Sequence, residues 1–183
     1  VFVVQWKELQ KKYPKSVCWG GNLLMIFVTV GTQDKEFRRI FDMVEEQIKL
    51  GNINEEVVAQ IGCTKFESKN IKTYKFMEKE EYNKFMKNAR IVITHAGVGS
   101  LIEGLNLNKK MIVIPRLKKY GEHVNDHQLQ ILETFENRGH ILAVRNTEEF
   151  TDALNKIKDF IPTKYVSNKD NFINNLRNTI DKL

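Results

Sequence analysis

Short apolar runs rich in Val and Ile alternate along this chain with longer stretches in which apolar residues recur every three or four positions. The first pattern suits strands buried on both faces, and the second suits helices that bury one stripe. With boundaries read from Gly, Pro, Asn and capping residues, the pattern predicts strands at 26–30, 57–61, 72–76, 91–94, 111–114 and 141–144. Helices are predicted at 36–50, 79–88, 100–107, 124–137 and 148–159. In the first of these, Phe37, Ile40, Phe41, Val44 and Ile48 share one face, as core residues do. Thr147 before Glu148 and Glu149 reads as an N-cap, and Gly139 after Arg138 as a helix stop. Regular alternation of strand and helix predicts an α/β fold, a mainly parallel sheet with helices on both faces. The tail beyond residue 160 is polar except for a thin stripe of Phe172, Ile173, Leu176 and Ile180, expected as a helix docking on the domain or crossing to another half.

The stretch from Ile91 to Glu103 joins an apolar β-branched run to a tight glycine loop and then to a carboxylate. A helix beginning near Ser100 would aim its free N–H groups and positive dipole end at an anion, most simply a pyrophosphate. Gly97 and Gly99 would let the backbone turn sharply and approach a ligand, and Glu103 could accept hydrogen bonds from a ribose diol. Glycine in such a turn also serves plain helix–strand packing, so the pattern alone leaves both readings open. Two nucleotide classes fall away. A dinucleotide fingerprint needs a third glycine where Ile102 stands and an acid after the next strand, which instead runs into Pro115 and Arg116. A G-x-x-x-x-G-K-[ST] phosphate loop is absent from the sequence.

The segment Pro115 to Gln128 follows the next strand and should open onto the same crevice. Asp126 and Gln128 offer groups matched to sugar hydroxyls, while Arg116, Lys118 and Lys119 bring positive charge near a phosphate. His123 and His127 stand four apart, a spacing that can place two metal ligands on one helix face. Without an H-E-x-x-H pattern they read better as surface histidines, and no metal is expected.

A net charge of +6 and a pI near 9.2 point to anionic partners. The basic residues form small scattered groups, Lys11-Lys12, Lys109-Lys110 and Lys118-Lys119, without interleaved aromatics, which argues against nucleic acid. No apolar run approaches the roughly 20 residues of a spanning helix. Cys18 and Cys63 are the only cysteines, too few for a disulfide framework or a zinc cluster, so a reducing cytoplasm is expected.

The runs T-H-A-G-V-G-S-L-I-E, I-V-I-P-R and E-H-V-N-D-H-Q, in this order, resemble the donor-binding C-terminal domain of family 28 glycosyltransferases. The opening strand and loop, Met25 to Gln33, match the family's start, and the similarity covers about residues 25 to 160. Within the family the chain most resembles the small catalytic subunit of split enzymes, both bacterial capsular or exopolysaccharide transferases and the eukaryotic N-glycan GlcNAc transferase. The resemblance implies a Rossmann-like sheet forming one half of a GT-B glycosyltransferase. It implies that His95, Gly97, Val98, Gly99 and Ser100 surround the diphosphate of a UDP-sugar, that Glu103 holds the ribose, and that Asp126 and Gln128 contact the transferred hexose. For His95, a histidine simply packed beside the strand is the competing reading. Arg116, with Gly99 and Ser100, would stabilise the leaving diphosphate. Gly31 and Thr32 would face the cleft, the alternative being a plain turn and helix cap.

The implied reaction moves a hexose, galactose first and GlcNAc next, from UDP to a polyisoprenyl-diphosphate-linked sugar in surface polysaccharide synthesis. UDP-sugar is then a substrate and no cofactor is needed. The base is unassigned, because in this architecture the acceptor-side half commonly supplies it. The alternatives are a nucleotide-binding regulatory module without turnover and half of a UDP-sugar epimerase. Residues 1–24, with Q-W-x-x-L, K-Y-P and a closing glycine, read as a strand end, a short basic helix and a second strand. They resemble the end of the membrane-associated, acceptor-binding partner subunit, and Met25 falls where the catalytic subunit would start. The expectation is therefore a tail at 1–24, a donor-binding domain at 25–160 and a helical tail at 161–183. Such a protein would sit at the inner face of the membrane, held there peripherally through its partner subunit or fused N-terminal half.

Overall fold

The computed structural model describes residues 3–4, 12–14, 17–18, 25–167, 173, 177 and 179–180. Two short strands, β1 (Val3–Val4) and β2 (Val17–Cys18), pair in parallel apart from the main sheet. The basic helix expected between them falls mostly outside the described residues, as do Phe172 and Leu176 of the tail stripe.

The main sheet contains β3 (Met25–Thr29), β4 (Glu56–Gln60), β5 (Ile71–Tyr74), β6 (Ile91–His95), β7 (Lys110–Ile114) and β8 (Leu142–Ala143). Their spatial order is β5-β4-β3-β6-β7-β8 and every pairing is parallel. This is the Rossmann order, in which the chain winds outward from β3 to one edge, returns to β6 and winds to the other. Among the described residues four helices connect successive strands, α1 (Arg38–Lys49), α2 (Lys79–Asn88), α3 (Val98–Asn106) and α4 (His127–Asn137), and α5 (Glu148–Lys156) follows β8.

The sheet separates two cores. Ile26, Val28 and Val30 point into one with Ile40, Phe41 and Val44 of α1 and Phe150 and Leu154 of α5. Met25 and Phe27 point into the other with Met86 of α2, Leu101 and Leu105 of α3 and Leu132 of α4. Because successive strand side chains face opposite sides and both sides are covered, every residue of β3 is buried, which is why its sequence is a continuous apolar run. On the second face Phe27 stacks on Phe85 at 5.9 Å between ring centres and meets Tyr82 edge-on at 5.3 Å.

Several boundaries differ from the sequence expectation, and two helix starts and one cap do so for identifiable reasons. The helix expected from 36 starts at Arg38, because Phe37 lies outside helical geometry at φ −136 and ψ 59, with its free amide donating to Thr64 Oγ1 at 2.9 Å. The helix expected from 124 starts at His127, after a 3₁₀ turn over Lys118–Tyr120 that ends on Gly121 at φ +70. Thr147 makes no side-chain cap bond; Asn146 Oδ1 accepts the Glu149 amide at 3.0 Å and takes that role. Gly139 does stop α4, at φ +69, with the His140 amide bonding back to Phe135 O at 3.0 Å.

Candidate functional site

The loops that follow β3, β6 and β7 lie side by side at the carboxyl edge of the sheet, where the strand order reverses between β3 and β6. Register places Thr29 beside Thr94, and Thr94 Oγ1 donates to Thr29 O at 2.9 Å. The loop carrying Gly31 and Thr32 is thereby fastened next to the loop carrying His95 and Gly97. Thr32 is exposed and far ahead of the start of α1 at Arg38, so it caps no helix.

His95 is the packing element between these loops. A β-carbon on Gly31, which stands at φ +70, would come within 2.8 Å of the imidazole Cε1; one on Gly97 would come within 2.1 Å of Nε2. Real contacts do not reach such distances, so both positions are held to glycine by one ring. Burial pulls the His95 pKa down to about 4, and the nearby Arg116 charge and then His123 push it the same way against a bond to the Thr29 backbone. At neutral pH the ring is therefore uncharged.

The helix after the glycine loop begins at Val98, earlier than Ser100, with Gly97 as N-cap in an extended conformation. Its first intrahelical bond runs from the Leu101 amide to Gly97 O, so the amides of Val98, Gly99 and Ser100 precede the hydrogen-bonded ladder. Val98 and Gly99 are exposed. A β-carbon on Gly99 would meet nothing within 4 Å, whereas one on Gly104 would meet Met111 Sδ at 2.6 Å. The glycine that serves close helix–strand packing is thus Gly104, one turn on, and Gly99 borders open space. Glu103 is half-buried on the same helix; burial raises its carboxyl pKa, with Lys79 opposing. Tyr82, at the start of α2, has its hydroxyl among the Ser100 and Thr29 side chains, and burial raises its pKa.

The third loop is braced from within. Consecutive amides of Arg116, Leu117 and Lys118 donate to Gln128 Oε1 at 3.0 Å, Glu122 Oε2 at 3.0 Å and Asp126 Oδ1 at 2.8 Å. Gln128 is buried and Asp126 exposed. Each commits one oxygen to holding the loop, which leaves Asp126 the better placed of the two to reach solvent. His123 Nδ1 and His127 Nδ1 turn to different partners, Asn125 O at 3.1 Å and Gln130 Oε1 at 3.0 Å.

Arg116 requires a correction. A loop cation stabilising a leaving phosphate was expected, but the residue is 0% exposed. Its Nη2 donates to Val30 O at 3.1 Å, and Nη1 to Lys35 O, Glu36 O and Glu122 O at 2.9 to 3.3 Å. The guanidinium lies over the Phe37 ring at 4.9 Å, and burial lowers its pKa to about 10, with Glu122 opposing, so it keeps its charge at neutral pH. Its Nη donors face protein carbonyls and its Nε is buried, so direct contact with a substrate phosphate is not what this geometry provides. Glu122, Arg39 and Tyr82 were given no role from sequence. Arg39 finds its partner 83 positions away, a pairing that no local spacing reveals.

An open parallel sheet with an exposed helix N-terminus at its switch point and a braced polar loop beside it defines a Rossmann-like fold, one shared with a solved bacterial MurG at 17% identity and a TM-score of 0.52. From residue 25 to residue 183 the chain matches the glycosyltransferase family 28 C-terminal domain, and it belongs to that family.

Among curated proteins it is similar to the UDP-N-acetylglucosamine transferase subunit ALG13 of Candida glabrata, with 42% identity over 83 residues, 44% of this chain and 40% of that protein. It is also similar to the UDP-N-acetylglucosamine–N-acetylmuramyl-(pentapeptide) pyrophosphoryl-undecaprenol N-acetylglucosamine transferase of Clostridium tetani, with 32% identity over 137 residues, 72% of this chain and 35% of that protein. The chain therefore spans no more than about two-fifths of these relatives. A solution structure of ALG13 shares the fold, with a TM-score of 0.54 at 18% identity over 82% of this chain and 92% of that one.

Proposed function

We propose that this chain is the donor-binding, catalytic half of a UDP-sugar glycosyltransferase that works with a complementary acceptor-binding half. The observation that carries the reading is the exposed amide edge of Val98, Gly99 and Ser100, bordered by open space at Gly99 and followed one turn later by Glu103. Such an edge suits a diphosphate, and a carboxylate at Glu103 suits a ribose diol. The departing UDP would be stabilised by these amides and the α3 dipole rather than by direct contact with Arg116.

The transferred sugar is GlcNAc in this proposal, because the curated relatives named above carry UDP-N-acetylglucosamine in their names. That choice replaces galactose, the first expectation from the sequence. The acceptor is a polyisoprenyl-diphosphate-linked sugar, in keeping with the pyrophosphoryl-undecaprenol of the clostridial relative's name. Asp126, with Gln128 behind it, would face the hexose. Among the described residues no helix is long and apolar enough to cross a membrane, so association with the lipid acceptor at the cytoplasmic face would be peripheral and through the partner half.

Calorimetric titration of UDP, with NAD as comparator, into the chain and its Glu103→Ala variant tests the donor site. UDP alone should bind, and the variant should lose about 1–3 kcal/mol, the range for a hydrogen bond to a charged group. A folded chain to which UDP and NAD bind equally, or not at all, would refute the assignment.

A further inference from the structure

Beside the site lies a buried charge network that no step of sugar transfer uses. Glu122 is 5% exposed, and its carboxylate accepts Arg39 Nε at 3.0 Å, Arg39 Nη2 at 2.9 Å and the Leu117 amide at 3.0 Å. Arg39 Nη2 also donates to Pro115 O at 2.7 Å. The carbonyl of Glu122 accepts Arg116 Nη1 at 3.3 Å, and Arg116 continues to the carbonyls of Val30, Lys35 and Glu36 on the far side of the His95 loop. Arg39 and Arg116 each place a guanidinium about 5 Å from the ring centre of Phe37, at 5.3 and 4.9 Å.

Buried bidentate pairs add little net stability, since desolvation offsets their attraction, and their best-attested use is to fix a geometry. Here the geometry fixed is that of two loops, 31–36 and 115–128, relative to α1. Gly97 to Glu103 are carried by β6 and α3 and meet loop 31–36 through the His95 ring.

We infer that Glu122, through Arg39 and Arg116, is a positioning residue that sets the sugar-facing loop, and so governs how the transferred sugar is held without governing how UDP is held. The inference rests on the donor-site reading proposed above. It also separates the functions of neighbouring residues: Asp126 would touch the sugar, and Glu122 holds the Leu117 backbone beside the Lys118 amide that donates to Asp126 Oδ1.

The test is to titrate the 183-residue chain with UDP and with UDP-GlcNAc, and to repeat both titrations with Glu122→Gln, which keeps the shape and removes the charge. The readout is the ratio of the two affinities. Loss of positioning should lower UDP-GlcNAc affinity relative to UDP by about tenfold or more, equivalent to about 1.4 kcal/mol, while UDP affinity itself changes little. A merely structural loss would weaken both ligands together and leave the ratio unchanged, which would overturn the inference while leaving the donor site standing. Failure of the unaltered chain to bind either ligand would remove the donor-site reading, and this inference with it. Should Glu122→Gln not fold, Arg39→Lys carries the same expected ratio change, because a lysine keeps the charge but not the two-pronged contact.

Discussion

His95 and Gly97 are in such close contact that a β-carbon on the glycine would stand 2.1 Å from the imidazole Nε2. The same ring closes the space over Gly31, so one buried side chain sets the separation of two loops at the mouth of the site.

Gly97→Ala and Gly99→Ala should therefore behave oppositely. The first forces the His95 ring to move and should cost about 1–3 kcal/mol, the range for overpacking. The second places a methyl in open space within the first turn of α3 and should be neutral or stabilising by up to about 1 kcal/mol. On the proposed donor site it should nevertheless weaken UDP binding, because the methyl would occupy the side from which the diphosphate would approach. Urea denaturation gives the stabilities, and calorimetry the affinities; equal stability losses at both positions would contradict the account.

Stability should fall with acid in a window set by His95. Its folded pKa is depressed from 6.5 to about 4, so between these values the unfolded chain binds a proton that the native chain does not. Unfolding free energy then rises with pH across the window, is complete above about pH 6.5, and is lower by about 3 kcal/mol at its acid end. The slope between pH 5 and pH 7 should diminish in His95→Gln. A variant with the unaltered slope would place the titration elsewhere.

Asn146→Ala should destabilise the chain by about 1 kcal/mol through loss of the bond to the Glu149 amide, whereas Thr147→Ala should change stability by less than half as much. Thermal melts of the two variants decide which residue caps α5.

How much of this was legible in the sequence depended on the range of the interaction. The apolar run Met25–Thr29 and the helical spacing of Ile40, Phe41 and Val44 marked their elements correctly, because burial on one or both faces leaves a periodic signature. The glycine loop at 97–99 was equally visible. Helix starts were less so: Phe37 is an N-cap outside helical geometry whose amide meets Thr64 of another loop, and cap choice between Asn146 and Thr147 turned on a backbone conformation that neither residue type dictates.

Chain order and side-chain period thus determined the parallel α/β architecture and the edge at which the candidate site lies, since strand–helix alternation leaves few other ways to bury two faces of a sheet. Only the tertiary structure decided what the charged residues do. Arg116 reads locally as a loop cation, yet folding brings the carbonyls of Val30, Lys35 and Glu36 around it and turns its donors inward. Arg39 and Glu122 become partners across 83 positions for the same reason. A buried charge must find its compensation wherever the fold supplies it, and that place is not encoded in the neighbouring sequence.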